Sequence, residues 1–302
     1  MSTKDFLLAV YCLIDQLLKD IIPPQGLRQR GPDPLLSDAE AITIAIAGEF
    51  FGLDADKHIY THFRRHYLAE FPALGLISRS SLVRQMANLW QVMGHLQDRL
   101  LTHFELADPI TGTVLWLIDS FPLRICRLKR APHCKRFRGS AAFGRDPTAS
   151  RDGYYGFRVH LRCCAQGPCA QIALAPANVA DAPMAAELIP PGGGEALGDR
   201  AYWSPDVQET LARQGLRLLA PFRTETFDPT PQRSAILSKL RQYIEPLIGQ
   251  LAGRFHMQTT WARDLWHLTE RLARKILSHT VAVFLNIRNN HPPLQLDLLL
   301  DS

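Results

Sequence analysis

The sequence lacks the spacing of a zinc site. Its six cysteines, Cys12, Cys126, Cys134, Cys163, Cys164 and Cys169, form no C-x-x-C pair, and structural zinc sites draw on such pairs. Cys163 and Cys164 are adjacent and would point to opposite faces of a strand. With no secretory leader ahead of them, all six read as reduced cytosolic thiols, mostly buried. Long apolar runs are also missing. Phe6 to Leu18 is the richest candidate, but Asp15 and Gln16 interrupt it and Asp5 precedes it. It reads as an amphipathic helix, not a leader or a membrane span, which places the chain in the cytoplasm. There is no glycine-rich phosphate loop and no ordered Ser, Asp and His set, so P-loop and serine-hydrolase chemistry are set aside. There is no internal repeat and no low-complexity tract.

What is present is a chain of 302 residues, 46% hydrophobic, with a net charge of +5. That suffices for a large core in one or two domains. The basic balance points to an anionic partner, of which nucleic acid is the commonest.

The first third reads as helical. Leu7, Leu8, Tyr11, Ile14, Leu17 and Leu18 recur at helical spacing, and 23–34, rich in Pro, Gly and Arg, reads as a loop. Ser37 to Glu40 is a capping box ahead of the apolar run Ile42 to Phe51. Ser80 or Ser81 is expected to cap a further helix carrying Leu82, Met86, Leu89 and Trp90. Residues 1–110 are therefore expected to form an all-helical domain that binds DNA, as a helix-turn-helix would, or serves dimerisation.

The pattern changes near Thr111. Short apolar or alternating runs at 114–118, 156–162 and 171–174 predict three strands. A helix follows at 182–188, a strand at 196–199, a helix at 205–214, a strand at 216–220, and helices from 234 to about 290 broken at Pro246 and around Thr259 and Thr260. Trp116, Trp203, Trp261 and Trp266 read as core, with stacking on an unpaired base the alternative for Trp203 beside Tyr202. This order is α/β, a mixed sheet with an antiparallel start and a partly parallel finish flanked by helices, as in ribonuclease H-like folds. The expected domains are 1–110, 111–292 and a tail at 293–302.

Two acids stand out because each ends a predicted central strand: Asp119 and Asp199. Ligands of α/β sheets bind at such rims. A buried, unpaired carboxylate costs several kcal/mol, and two converging carboxylates repel, so a divalent cation would give both a reason to be there. Mg2+, or Mn2+ in its place, takes hard oxygen ligands. Two such ions can hold the attacking and leaving oxygens of a displacement at phosphorus. Glu245, on the helices after the last strand, is the third candidate ligand.

Four stretches resemble the DDE transposases of bacterial insertion sequences. Leu117 to Leu123 is similar to the first-acid strand of that family. Gly156 to Leu161, with Ala175 to Asp181, is similar to its next strand and turn. Leu197 to Tyr202 resembles the second-acid motif, and Arg241 to Gly249 the third-acid helix. The resemblance implies a ribonuclease H-like core in which Asp119, Asp199 and Glu245 are catalytic and bind two Mg2+ ions. It further implies cleavage of double-stranded DNA at transposon ends and transfer of the freed 3′-hydroxyl into target DNA by a homodimer on the nucleoid. The readings beside it are a nuclease that cuts without joining and an inactive, transposase-derived DNA-binding protein. Arg241 and Glu245 keep the family spacing, but Ser238 stands at the usual Tyr position and Ala252 at the usual Lys. Arg254 lies near enough in sequence to substitute for that Lys as a phosphate contact.

Nine Lys or Arg residues and a single acid, Asp146, lie between Arg124 and Arg151. Arg124, Arg127, Lys129, Arg130, Lys135, Arg136 and Arg138 are the candidate phosphate contacts, with 139–153 expected to be a mobile loop. Arg158, His160, Tyr202 and Arg241 are further candidate DNA contacts, Arg158 and His160 sharing one strand face; His160 reads equally as a hydrogen-bonded structural histidine.

Overall fold

A computed structural model describes residues 1–301 apart from 24–25, 29–30, 107–113, 146–152, 165–166, 190–193 and 225–226. The expected boundary at Thr111, the far end of the basic stretch with Asp146 and Arg151, and the break at 190–193 lie outside the described residues. Two compact units emerge. One comprises 1–104, 251–257 and 261–302; the other comprises 105–250 and 258–260.

The first unit is helical: α1 (Thr3–Ile21), α2 (Asp38–Phe50), α3 (Asp56–His66), α4 (Arg79–Asn88), α5 (Trp90–Leu101) and a C-terminal helix, Leu265–Arg288. Its helices start where polar side chains satisfy free N–H groups. The Ser2 side chain accepts from the Asp5 N–H, and Ser37 with Glu40 forms the expected reciprocal capping box. Ser37→Ala removes one acceptor and should cost about 1 kcal/mol; an unchanged urea midpoint for this unit's transition would contradict that. α2 is buried nearly all round, from Ala39 to Phe50, and forms the axis of the core with Phe6, Ile14, Phe63, Met86, Leu96 and Leu277.

Three expectations fail here. The cap of α4 is Ser78, whose extended backbone lets its side chain accept from the Ser81 N–H, so Ser80 and Ser81 already lie inside the first turn. Residues 67–78 separate α3 from α4, and Leu89 alone separates α4 from α5. Neither junction has the three- to four-residue turn of a helix-turn-helix. Trp261 and Trp266, read as core, are 64% and 49% exposed.

The helical unit also buries charge. Arg274, 0% exposed, donates to Glu49 at 2.6 Å, Asp56 at 2.8 Å and Glu270 at 3.1 Å. Arg271 bonds Asp56, and Lys275 bonds Glu49 and the Phe255 carbonyl.

The second unit holds β1 (Leu115–Arg127), β2 (Ala142–Arg145), β3 (Gly153–Cys164), β4 (Cys169–Pro176), α6 (Asp181–Leu188), β5 (Glu195–Leu197), α7 (Pro205–Arg213), β6 (Arg217–Leu219) and α8 (Pro231–Arg241), and α9 (Glu245–Gly253) begins in it. The sheet is mixed. β3 runs antiparallel to β1 on one side and to β2 and β4 on the other, while β1, β5 and β6 run parallel. At Gly156 a Cβ would drive into the Leu123 carbonyl, so this strand crossing, next to the bulge between Arg124 and Cys126, requires glycine.

The expected α/β architecture is present, with differences. β1 does not stop at Asp119; it continues to Arg127 because β3 pairs with it along that whole length. β5 accompanies β1 only to Leu117. Beyond it, among the described residues, that edge of β1 is bridged only at Arg124, whose N–H donates to the Gln258 carbonyl, so a proline such as Pro122 is tolerated. β2 occupies part of the segment expected to be a mobile loop. The break in the late helices falls at a 3-10 turn, Gln242–Ile244, ahead of Pro246, which leaves the proline in the first turn of α9 where its missing N–H is harmless. Cys163, Cys164 and Cys169 are buried, but Cys126 and Cys134 are half-buried and Cys12 is exposed.

Candidate active site

Strand register brings Asp119 and Asp199 together. Leu117 on β1 pairs with Leu197 on β5 in parallel, and each aspartate lies two residues beyond that pair. Both therefore emerge level at the rim where the parallel pairing ends, which is why two short apolar runs, each followed by an acid, make one site. Asp119 is 7% exposed. Its Oδ1 accepts from the Ser120 N–H at 2.8 Å and its Oδ2 from Arg241 at 3.2 Å. Asp199 caps the 3-10 turn Arg200–Tyr202, accepting from the Ala201 N–H at 2.9 Å.

Burial pushes the Asp119 carboxyl up to about 6; Arg241 pulls against this, and repulsion from Asp199 adds to it. Asp199 is raised as well, first by burial, with Arg241 opposing. Two carboxylates thus share one guanidinium and are short of positive charge.

Glu245 is not part of this pair. It is exposed at the start of α9, and among the described residues no three His, Cys, Asp or Glu side chains are grouped so as to hold a metal ion. The local reason is the 3-10 turn between α8 and α9. In a continuous helix, residues four apart share a face, so Arg241 and Glu245 would point the same way. A turn of three residues per revolution rotates that register, and it is Arg241 that faces Asp119.

His160 and Tyr202 are fully buried and present no surface to DNA; for His160 this matches the structural alternative, and for Tyr202 it departs from the expected contact. The His160 Nδ1 and the Tyr202 hydroxyl are 3.1 Å apart. Burial lowers His160 to about 4, with Arg158 acting the same way and Asp181 opposing, so the ring is neutral at pH 7. Burial likewise raises the Tyr202 phenol well above its usual range. Arg158 is committed too, donating to both oxygens of Asp181 at 2.8 and 2.9 Å. Asp181, 5% exposed, also accepts from the Ser120 hydroxyl at 3.1 Å. Asp181 lies inside a family-like motif without an evident role along the sequence; its place directly after a strand and turn is the signal that marks it.

From Arg124 to Arg138 the basic stretch is structured and still presents its charge. Arg124, Arg127, Lys129, Arg130, Lys135 and Arg138 are exposed, on the end of β1, on the 3-10 turn Leu128–His133 and just after it. Arg136 is half-buried and donates to the Ile125 carbonyl at 2.8 Å, which makes it a brace for this segment. Arg254 belongs to the helical unit, where it pairs with Asp297 and lies over the Phe50 ring at 4.9 Å. It therefore does not replace the missing Lys as a free charge.

Residues 110–265, more than half of the chain, match the protein family described as a transposase DDE domain. No curated protein and no solved structure matches the chain.

Proposed function

The chain belongs to the transposase DDE-domain family, and on that premise we propose that it cuts double-stranded DNA at the ends of a bacterial insertion sequence and joins the freed 3′-hydroxyl to target DNA. The observation that carries this reading is the level placement of Asp119 and Asp199 at one sheet rim, Asp119 buried and Asp199 half-buried, with both carboxyls raised. A ribonuclease H-like fold is part of the reading. An antiparallel β3–β1 start followed by parallel β5 and β6 supports it.

The donor set suits a hard divalent cation, Mg2+ or Mn2+. Two carboxylates facing one guanidinium leave a net negative charge, and oxygen donors are what such ions take. Asp119 and Asp199 would hold it, with Glu245 the candidate to complete the set. Such an ion, alone or as a pair, supplies Lewis-acid stabilisation of charge at the phosphorus and at the oxygens exchanging on it. The chain's own groups do the rest. The Ser120 N–H orients one oxygen of Asp119. The Ala201 N–H orients Asp199. Arg241 pairs with Asp119 and could be released to a DNA phosphate. The exposed Arg and Lys residues from Arg124 to Arg138 bind the backbone, which carries affinity but little sequence information.

In this reading the strand-rich unit does the chemistry, the helical unit serves DNA binding or dimerisation, and the protein acts as a homodimer on nucleoid DNA. The separation of Glu245 from the aspartates favours one other reading, an inactive descendant that only binds DNA. A strand-transfer assay with pre-cut donor ends, run on the wild type and on Asp199→Asn, decides among these. Joining that Asp199→Asn abolishes is the expected result. Cleavage without joining would leave a nuclease, and equal binding with no cleavage by either protein would leave the inactive descendant.

A further inference from the structure

β1 alternates its side chains across the sheet. Asp119 points to one face and Ser120 to the other. Ser120 is the cross-strand partner of His160, so these two share a face, and Asp181 at the start of α6 lies against it. On that face Asp181 makes a closed set of contacts. It takes two bonds from Arg158 and one from the Ser120 hydroxyl, and its Oδ1 lies 4.0 Å from the His160 Nδ1. His160 in turn meets the hydroxyl of Tyr202, which ends the 3-10 turn that Asp199 caps. Every member is buried or nearly so: Asp181 at 5%, His160 at 0% and Tyr202 at 0% exposed. Among the described residues the His160 Nε2 meets no hydrogen-bond partner, so holding the ring in this place carries a polar cost.

We propose that Asp181 is a positioning residue for the metal-binding aspartates, acting from behind the sheet through Ser120 on Asp119 and through His160 and Tyr202 on the Asp199 turn. The inference rests on the reading of Asp119 and Asp199 as the metal site. Ser120 is the critical link, because its hydroxyl is held by Asp181 while its own N–H holds the Asp119 carboxylate. Fixing the hydroxyl fixes the peptide that aims the carboxylate. A purely structural Arg158–Asp181 pair would need no such link. Groups that orient ligands from behind typically change metal affinity by about 10- to 100-fold when removed.

The test is Mn2+ binding to the full chain without DNA, followed by paramagnetic resonance of the free ion, with melting temperature measured alongside. Ser120→Ala leaves the Arg158–Asp181 pair intact and should melt close to the wild type, yet bind Mn2+ about 10-fold more weakly. Asp181→Asn should weaken binding at least as much, and Asp181→Glu should restore part of it. Wild-type Mn2+ affinity in Ser120→Ala overturns the inference, as does a loss in Asp181→Asn that only tracks unfolding. Asp119→Asn is the separate control. If it binds Mn2+ like the wild type, the metal-site reading itself fails. If it loses Mn2+ while Ser120→Ala and Asp181→Asn keep it, only the positioning role fails.

Discussion

Asp119→Asn is expected to reduce metal-dependent DNA cleavage by on the order of a thousandfold or more, since losing about 4 kcal/mol of metal-borne stabilisation corresponds to that factor. The same substitution is expected to make the metal-free protein more stable at neutral pH. The folded carboxyl titrates at about 6 because it is buried, with Arg241 only partly offsetting this and Asp199 adding to it; in an unfolded chain it titrates near 4. The sign follows directly. Below about pH 4 the group is protonated in both states and costs nothing. As pH rises from about 4 to 6 the unfolded chain gives up the proton first, so stability falls. Above about 6 the cost levels off at roughly 3 kcal/mol. The asparagine variant escapes it, so its melting temperature should exceed that of the wild type by a margin that widens between pH 4 and 6 and then holds. Mg2+ should raise the wild-type melting temperature and leave the variant unmoved. A variant that melts lower than the wild type at pH 7 without metal would show that Asp119 is a structural partner of Arg241 and little else.

Arg274→Met should be the most damaging single change in the helical unit, costing about 3–5 kcal/mol. The guanidinium is fully buried and is the common partner of Glu49, Asp56 and Glu270. Three buried acids are matched here by Arg271, Arg274 and Lys275. Removing the central cation leaves Glu270 without its ion-pair partner at 3.1 Å and throws Glu49 onto Lys275 and Asp56 onto Arg271. Replacing the whole network by apolar residues need not destabilise, because ion pairs lose their hydration on burial. Breaking it at one point does. Denaturant titration of Arg274→Met would show this, and Arg274→Met combined with Glu270→Leu should recover part of the loss. A midpoint for the single variant within error of the wild type would mean that water already reaches this cluster.

Much of this could be read along the chain because its physical cause is local. The capping box at Ser37 needs only two side chains three residues apart. The strands β3, β4, β5 and β6 are legible because short apolar or alternating runs lie between turn residues. Asp119 and Asp199 could be singled out because an acid after an apolar strand is costly unless something at the rim uses it, and the family motifs lay on the same residues.

What the chain alone could not decide was pairing. β1 outruns its apolar segment because β3 extends it, a gain visible only once the two strands lie side by side. The two aspartates are level because of the Leu117–Leu197 register, which no local pattern specifies. Arg158, His160 and Tyr202 look like DNA contacts by residue type; pairing with Asp181 commits Arg158, and burial withdraws His160 and Tyr202. Arg254 looks free until Asp297, 43 residues on, is found beside it. The sequence by itself singled out the three candidate acids and the kind of element on which each lies. Only the tertiary structure decided that two of them share a rim while Glu245 stands apart, because a single 3-10 turn rotates one helix relative to the next.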